Sequence, residues 1–160
     1  MADSLKGISS QDPWQQTLLM LRALLKAMSA LQSDYPGTLE LLRGAMSSPE
    51  DESTALLMLG LMETEYSEAL VGQLVSASLS HRNALRVRQI LGRLPHDQAE
   101  RIVPPVVWDQ LRETGDYDAY RRMAELLAHL GLHAALSQLS ARALMSSDPD
   151  IREVGEDFAS

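Results

Sequence analysis

Apolar residues recur along this chain at intervals of three and four, and alternating apolar and polar runs are almost absent. That spacing is the period of an amphipathic α-helix, not of a half-buried strand. Leu18, Leu21, Leu25, Met28 and Leu31 form one such stripe, entered through Asp12 and Pro13, a capping acid followed by a proline suited to the first helical turn. Turn residues interrupt the pattern at Tyr35-Pro36-Gly37, Ser47-Ser48-Pro49, Glu63 to Glu65, Ser80-His81, Pro95-His96, Pro104-Pro105, Thr114 to Asp116, Gly131 and Ser147 to Asp150. The segments between these breaks have ordinary helix lengths. Val and Ile are too few and too scattered to build a sheet. The pattern predicts an all-α protein.

The segments also repeat. Paired aliphatics at Leu24-Leu25, Leu56-Leu57, Ile90-Leu91 and Leu126-Leu127 step by 32, 34 and 36 residues, and Met46-Ser47-Ser48-Pro49 returns as Met145-Ser146-Ser147-Asp148-Pro149. A period near 34 is what stacked helix pairs produce, although a globular bundle of similar helices would mimic it. The expected architecture is an α-α superhelix, or solenoid, of about four helix pairs in a single domain over residues 1–160, with residues 1–12 as a flexible lead. First helices fall near 13–32, 50–63, 82–94 and 117–130, and second helices near 37–47, 66–79, 97–113 and 133–145. A last helix from Pro149 to Phe158 presents Ile151, Val154 and Phe158 on one face and would cap the stack; left uncovered, Phe158 would favour self-association through this C-terminal helix. Pro104 and Pro105 are expected to stop the third pair's second helix near Val103 and restart it.

The stretch Ser147-Asp148-Pro149-Asp150-Ile151-Arg152-Glu153-Val154 resembles the opening of a HEAT repeat, in which an Asp-Pro turn starts a helix carrying an aliphatic residue and an arginine. His81 to Pro95, HRNALRVRQILGRLP, resembles the first helix of another such repeat. The resemblance spans roughly residues 49 to 160 and includes no catalytic signature. The repeat length is equally similar to that of tetratricopeptide repeats, the second choice, with which Gly131, Ala143 and Leu144 are compatible while the aromatic positions are mostly unmatched. Ala124 to Phe158 also resembles the helical-repeat chaperones of bacterial type III secretion. All three resemblances imply a protein that binds other polypeptides.

Charge and composition narrow the classes further. The 160 residues carry a formal net charge of -8 and no cysteine, which excludes thiol nucleophiles and Cys-ligated metals. Nucleic acid and anionic membrane are not expected partners, because affinity for phosphate rests on clustered Lys and Arg. Asp109 beside Trp108 is similar to an arrangement in HEAT-like DNA glycosylases, but the acidic surplus argues against the basic groove those enzymes need. The apolar run from Thr17 to Leu31 is broken by Arg22 and Lys26, too polar for a spanning helix or a signal core, so a cytoplasmic location is expected.

No phosphate loop, nucleophile elbow or dinucleotide fingerprint is present. Glu125, His129 and His133 are spaced by four, which on an unbroken helix would place three zinc-type ligands on one face and support a metal-assisted hydrolase; Gly131 is expected to break that helix. The di-iron hydroxylases built on HEAT folds use His-Glu pairs, and no His here is followed by Glu. The favoured reading is a non-enzymatic scaffold with no cofactor, binding another protein or peptide on the concave face lined by second helices. Its expected contacts are Gln73, Ser76, Trp108, Arg112 and Gln138, joined by a stripe of Arg82, Arg86 and Arg93 that would take an acidic peptide. That stripe follows a segment, Gly44 to His81, with six acids and no Lys or Arg, so ion pairs between neighbouring repeats are its plainer use. The uncharged run from Ala69 to Ser80 is expected to be buried through Leu70, Leu74 and Ala77.

Overall fold

A computed structural model describes residues 12–159, and among these it contains ten α-helices and no strand. They are α1 (Pro13–Gln32), α2 (Tyr35–Met46), α3 (Glu52–Leu59), α4 (Thr64–Ala69), α5 (Val71–Ala77), α6 (His81–Leu91), α7 (His96–Glu113), α8 (Tyr117–His129), α9 (His133–Leu144) and α10 (Pro149–Phe158). The protein is all-α, in the order and close to the boundaries the periodicity predicts. The described residues form two compact units, one ending at Thr38 and one beginning at Leu39. Apart from Asp12, the lead expected over residues 1–12 lies outside the described residues.

In the first unit, α1 starts as its sequence dictates. Asp12 accepts a hydrogen bond from the Trp14 amide at 3.1 Å, and Pro13 occupies the first turn, where no donor is needed. The break after it comes at Ser33-Asp34, two residues earlier than expected. Pro36 sits in the first turn of α2, and Asp34 accepts from the Gly37 amide at 3.2 Å. Thr38, almost fully buried, ties this turn together by donating to the Leu31 carbonyl at 2.6 Å.

In the second unit the helices pair and stack. Helices α3, α6, α8 and α10 pack each against the next, α5 packs against α6 and α7, α7 against α8, and α9 against α8 and α10. The core runs through Leu56, Leu59, Leu74, Val87, Leu91, Val103, Val107, Met123, Leu127, Leu139 and Val154, each 0% exposed. Polar contacts repeat across successive first helices: Asn83 donates to Glu52 over 31 residues, Arg88 pairs with Glu125 over 37, and Arg121 donates to Asp157 over 36. These separations bracket the 34-residue period seen in the sequence. Two arginines tie the chain to the preceding helix end. Arg93 donates to the carbonyls of Leu59, Gly60 and Met62, and Arg152 to those of Ser146 and Ser147, satisfying carbonyls left over at the ends of α3 and α9.

Two local expectations are corrected. α7 runs unbroken through Pro104 and Pro105. Val103, Val107 and Leu111 hold it against α5 and α8, and Pro105 faces solvent. The carbonyls that lose donors belong to Glu100 and Arg101, both exposed residues, so the deficit falls where water can meet it. The break appears instead at Leu70, between α4 and α5, at φ −110° and ψ 15°. Leu70, Leu74 and Ala77 are buried as their charge-free surroundings imply.

Candidate functional site

The surface feature with the most chemical content lies between α3 and α6. Two open clefts adjoin there, of about 290 Å³ and 280 Å³, sharing Arg86 and Gln89 in their linings. The first lies near the start of both helices, beside Ser53, Arg82 and Leu85; the second lies toward their ends, beside Leu57, Gly60, Leu61 and Arg93. The α3 wall is apolar, and Leu57 and Leu61, four residues apart, are 52% and 61% exposed. The α6 wall is basic, with Leu85 62% exposed among its arginines.

This asymmetry follows from the sequence. On α3, Ala55, Leu56 and Leu59 enter the core, and at about 100° per residue that inner face leaves Leu57 turned outward, with Leu61 exposed in the turn after the helix. On α6, Asn83, Ala84, Val87, Ile90 and Leu91 take the inner face, leaving Arg82, Leu85, Arg86 and Gln89 on the outer one. Asn83 is fixed at the upper end by its 2.7 Å bond to Glu52. Arg82 and Arg86 make no ion pair or side-chain hydrogen bond with any described residue, whereas Arg88, on the same helix, is held by Glu125. Arg93 lies beyond the end of α6, and its guanidinium meets only backbone carbonyls. The groove therefore carries three guanidinium groups without a carboxylate partner among the described residues.

The stripe Arg82, Arg86 and Arg93 is thus brought together along one groove, with Arg93 committed to backbone capping. The second-helix residues are not gathered there, and none lines either cleft. Gln73 is occupied, donating to the Arg43 carbonyl at 2.9 Å and to Ser47 Oγ at 3.0 Å, so it closes the end of α2 instead of facing a ligand. Arg112 is paired with Asp109 one turn away on α7. Trp108 is half-buried on α7, and Ser76 and Gln138 are exposed on α5 and α9. The leucines of the groove, Leu57, Leu61 and Leu85, are missing from the sequence-derived set, although the i, i+4 spacing of Leu57 and Leu61 outside the Leu56–Leu59 core pattern signals them.

Glu125, His129 and His133 are divided by a helix end. α8 stops at His129, Gly131 adopts φ +68°, and the Leu132 amide donates back to the Leu127 carbonyl at 3.0 Å, the six-to-one bond of a Schellman turn. His133 begins α9 on the far side of this turn. Glu125 is engaged by Arg88 and, at 3.0 Å, by Arg122, whose other terminal nitrogen lies 3.0 Å from His81 Nδ1. Among the described residues no group of three His, Asp or Glu is placed to hold a metal ion. Farther along the same ladder Arg121 stacks over Tyr117 and donates to Asp157 at 2.6 Å, and that hydrogen bond raises its pKa above the ordinary arginine value against the opposing effect of burial.

At the C-terminal end, α10 buries Ile151 and Val154 against α8 and α9, and Phe158 is half-buried. Among the described residues no helix is long and apolar enough to cross a membrane. No family model, curated protein or solved structure matches this chain.

Proposed function

We propose that the protein is a non-enzymatic helical-repeat scaffold that binds another polypeptide, as an adaptor or a chaperone. The observation that carries this reading is the α3–α6 groove, where exposed Leu57, Leu61 and Leu85 stand beside Arg82 and Arg86, neither paired with a described residue. Adjoining exposed leucines with unengaged arginines beside them have the composition of a contact surface, because a cluster of large apolar side chains left in water favours being covered and arginine is enriched at protein interfaces. The repeat is read as HEAT-like, with tetratricopeptide-like repeats as the alternative; the contact separations near 34 residues and the arginines closing preceding helix ends support a stacked superhelix. A cytoplasmic partner suits this role. The second-helix face remains a secondary contact surface through Ser76, Trp108 and Gln138.

Panning the purified chain against a displayed library of structured and unstructured peptides tests the proposal. Recovery of saturable binders with one-to-one stoichiometry by calorimetry is the expected result. A folded chain that retains no library member would overturn it, and stoichiometric zinc in the purified protein would move weight to the metal-assisted hydrolase.

A further inference from the structure

Resting on the scaffold reading, we infer that the occupant of the α3–α6 groove is an amphipathic helix with an acidic flank. Three observations lead there. First, the two walls differ in chemistry along their length: exposed Leu57 and Leu61 on the α3 side, and Arg82, Arg86 and Arg93 on the α6 side, with Gln89 shared between the clefts. A ligand that satisfies both walls presents apolar groups toward one and carboxylates toward the other. A helix does this with a row at i, i+4 and a second row about a quarter-turn round its circumference.

Second, the dimensions suit a helix. Along α6 from Arg82 to Ile90 the groove follows eight residue steps, about 12 Å at a helical rise of 1.5 Å, enough for roughly two turns of a ligand helix. Leu57 on α3 and Leu61 in the turn just after it offer two exposed apolar contacts to the apolar row of such a ligand.

Third, the charge is locally reversed. The chain carries a net charge of -8, and the segment from Gly44 to His81 has six acids and no Lys or Arg, yet the α6 wall presents guanidinium groups with no carboxylate partner among the described residues. A basic helix would meet like charge at the wall. An acidic helix is attracted to the wall, and orients with its carboxylates on the arginine side. Arginine favours carboxylates in particular, through paired N–H donors.

The probe is a display library of 16-residue helical peptides with leucine fixed at i, i+4 and i+8 and the flanking positions randomised. Selection against the intact chain is expected to enrich Asp and Glu on a single flank. Binding of a selected peptide, read by fluorescence anisotropy, is expected to fall at least tenfold for the Arg82→Glu/Arg86→Glu chain and to weaken with salt, and the same chain is expected to gain affinity for the peptide whose acids are replaced by lysine. Leu57→Ser is expected to weaken both. Neither arginine has a described partner, so circular dichroism melting of the double variant should match that of the parent. Enrichment of basic or uncharged flanks, or acidic binders indifferent to the charge reversal, would overturn the inference. Binders sensitive instead to Trp108→Ala or Ser76→Arg would overturn it while leaving the scaffold reading standing, and a library from which nothing is retained would defeat both.

Discussion

Helices α1 and α8 have nearly the same sequence grammar and different fates. Each begins with an aspartate that accepts an amide hydrogen bond in the first turn, and each carries apolar residues at intervals of three and four. In α8, thirteen residues long, Ala119, Tyr120, Met123, Ala124, Leu126 and Leu127 are buried. In α1, twenty residues long, Met28 alone is buried, and Leu21 and Leu25 are 48% and 57% exposed. The difference teaches that a 3.6-residue period specifies a helix and a face, while burial of that face depends on what the rest of the chain brings to it. α8 is flanked by α6, α7, α9 and α10, reached through turns fixed by Gly131 and by the Arg152 cap. An apolar stripe is a necessary condition for a core and not a sufficient one.

The largest expected effect lies in α8. Leu127→Ala removes a side chain that is 0% exposed and leaves a cavity beneath the Schellman turn, so a loss of about 2–5 kcal/mol is expected in urea denaturation. A loss below about 1 kcal/mol would mean the site collapses freely, and the contrast with α1 would lose its footing.

Next comes the close approach of α10 to α9. A Cβ at Gly155 would lie 2.8 Å from the Leu144 amide nitrogen and 2.9 Å from the Ser140 carbonyl oxygen, both backbone atoms. Gly155→Ala is therefore expected to cost about 1–3 kcal/mol by forcing the two helices apart. Gly44→Ala, in α2 with nothing within 4 Å of the added carbon, is expected to gain about 0.5–1 kcal/mol from helix propensity. Opposite signs for one chemical change would show that packing against α9, and not glycine itself, decides the outcome.

The polar face of α8 sharpens the comparison from another side. Glu125 is 26% exposed at its side chain and holds Arg88 and Arg122 together, while the exposed pair Arg43–Glu40 lies within a single helix. Glu125→Ala leaves two guanidinium groups facing each other and is expected to cost about 1 kcal/mol, whereas Glu40→Ala is expected to cost less than about 0.5 kcal/mol. Thermal melts of the two variants under identical salt check this. Raising the salt should narrow the difference only slightly, since partly buried pairs are screened less.

Much of this architecture is legible in the sequence, and the places where it is not have a common cause. Helix order, the Asp12 and Gly131 boundaries and the repeat spacing follow from local chemistry, which the chain carries in neighbouring residues. The reading fails at Pro104-Pro105, where buried Val103 and Val107 hold α7 together despite two missing donors, and at Leu70, where a break occurs without proline. Both are tertiary decisions overriding local propensity. The candidate site divides in the same way. Arg82 and Arg86 are visible as a charged stripe, but that Arg88 between them and Leu91 is consumed by Glu125, or that Gln73 is consumed by Arg43 and Ser47, depends on residues 26 to 37 positions away. Leu57 and Leu61 become groove residues only because α6 arrives beside them.

The smallest expected effect is the one that tests the comparison most directly. Leu25→Ala in α1 removes the same atoms as Leu127→Ala in α8, from a side chain that already spends 57% of its surface in solvent. Alanine is at least as favourable as leucine in an exposed helix, so the change in unfolding free energy is expected to stay within about 0.5 kcal/mol of zero. The measurement is a pair of urea titrations on Leu25→Ala and Leu127→Ala at matched protein concentration, repeated at a tenfold higher concentration. Equal losses in the two variants would mean that the α1 stripe is covered in solution. If that loss then grew with concentration, the cover would come from another copy of the chain, since only intermolecular burial obeys mass action.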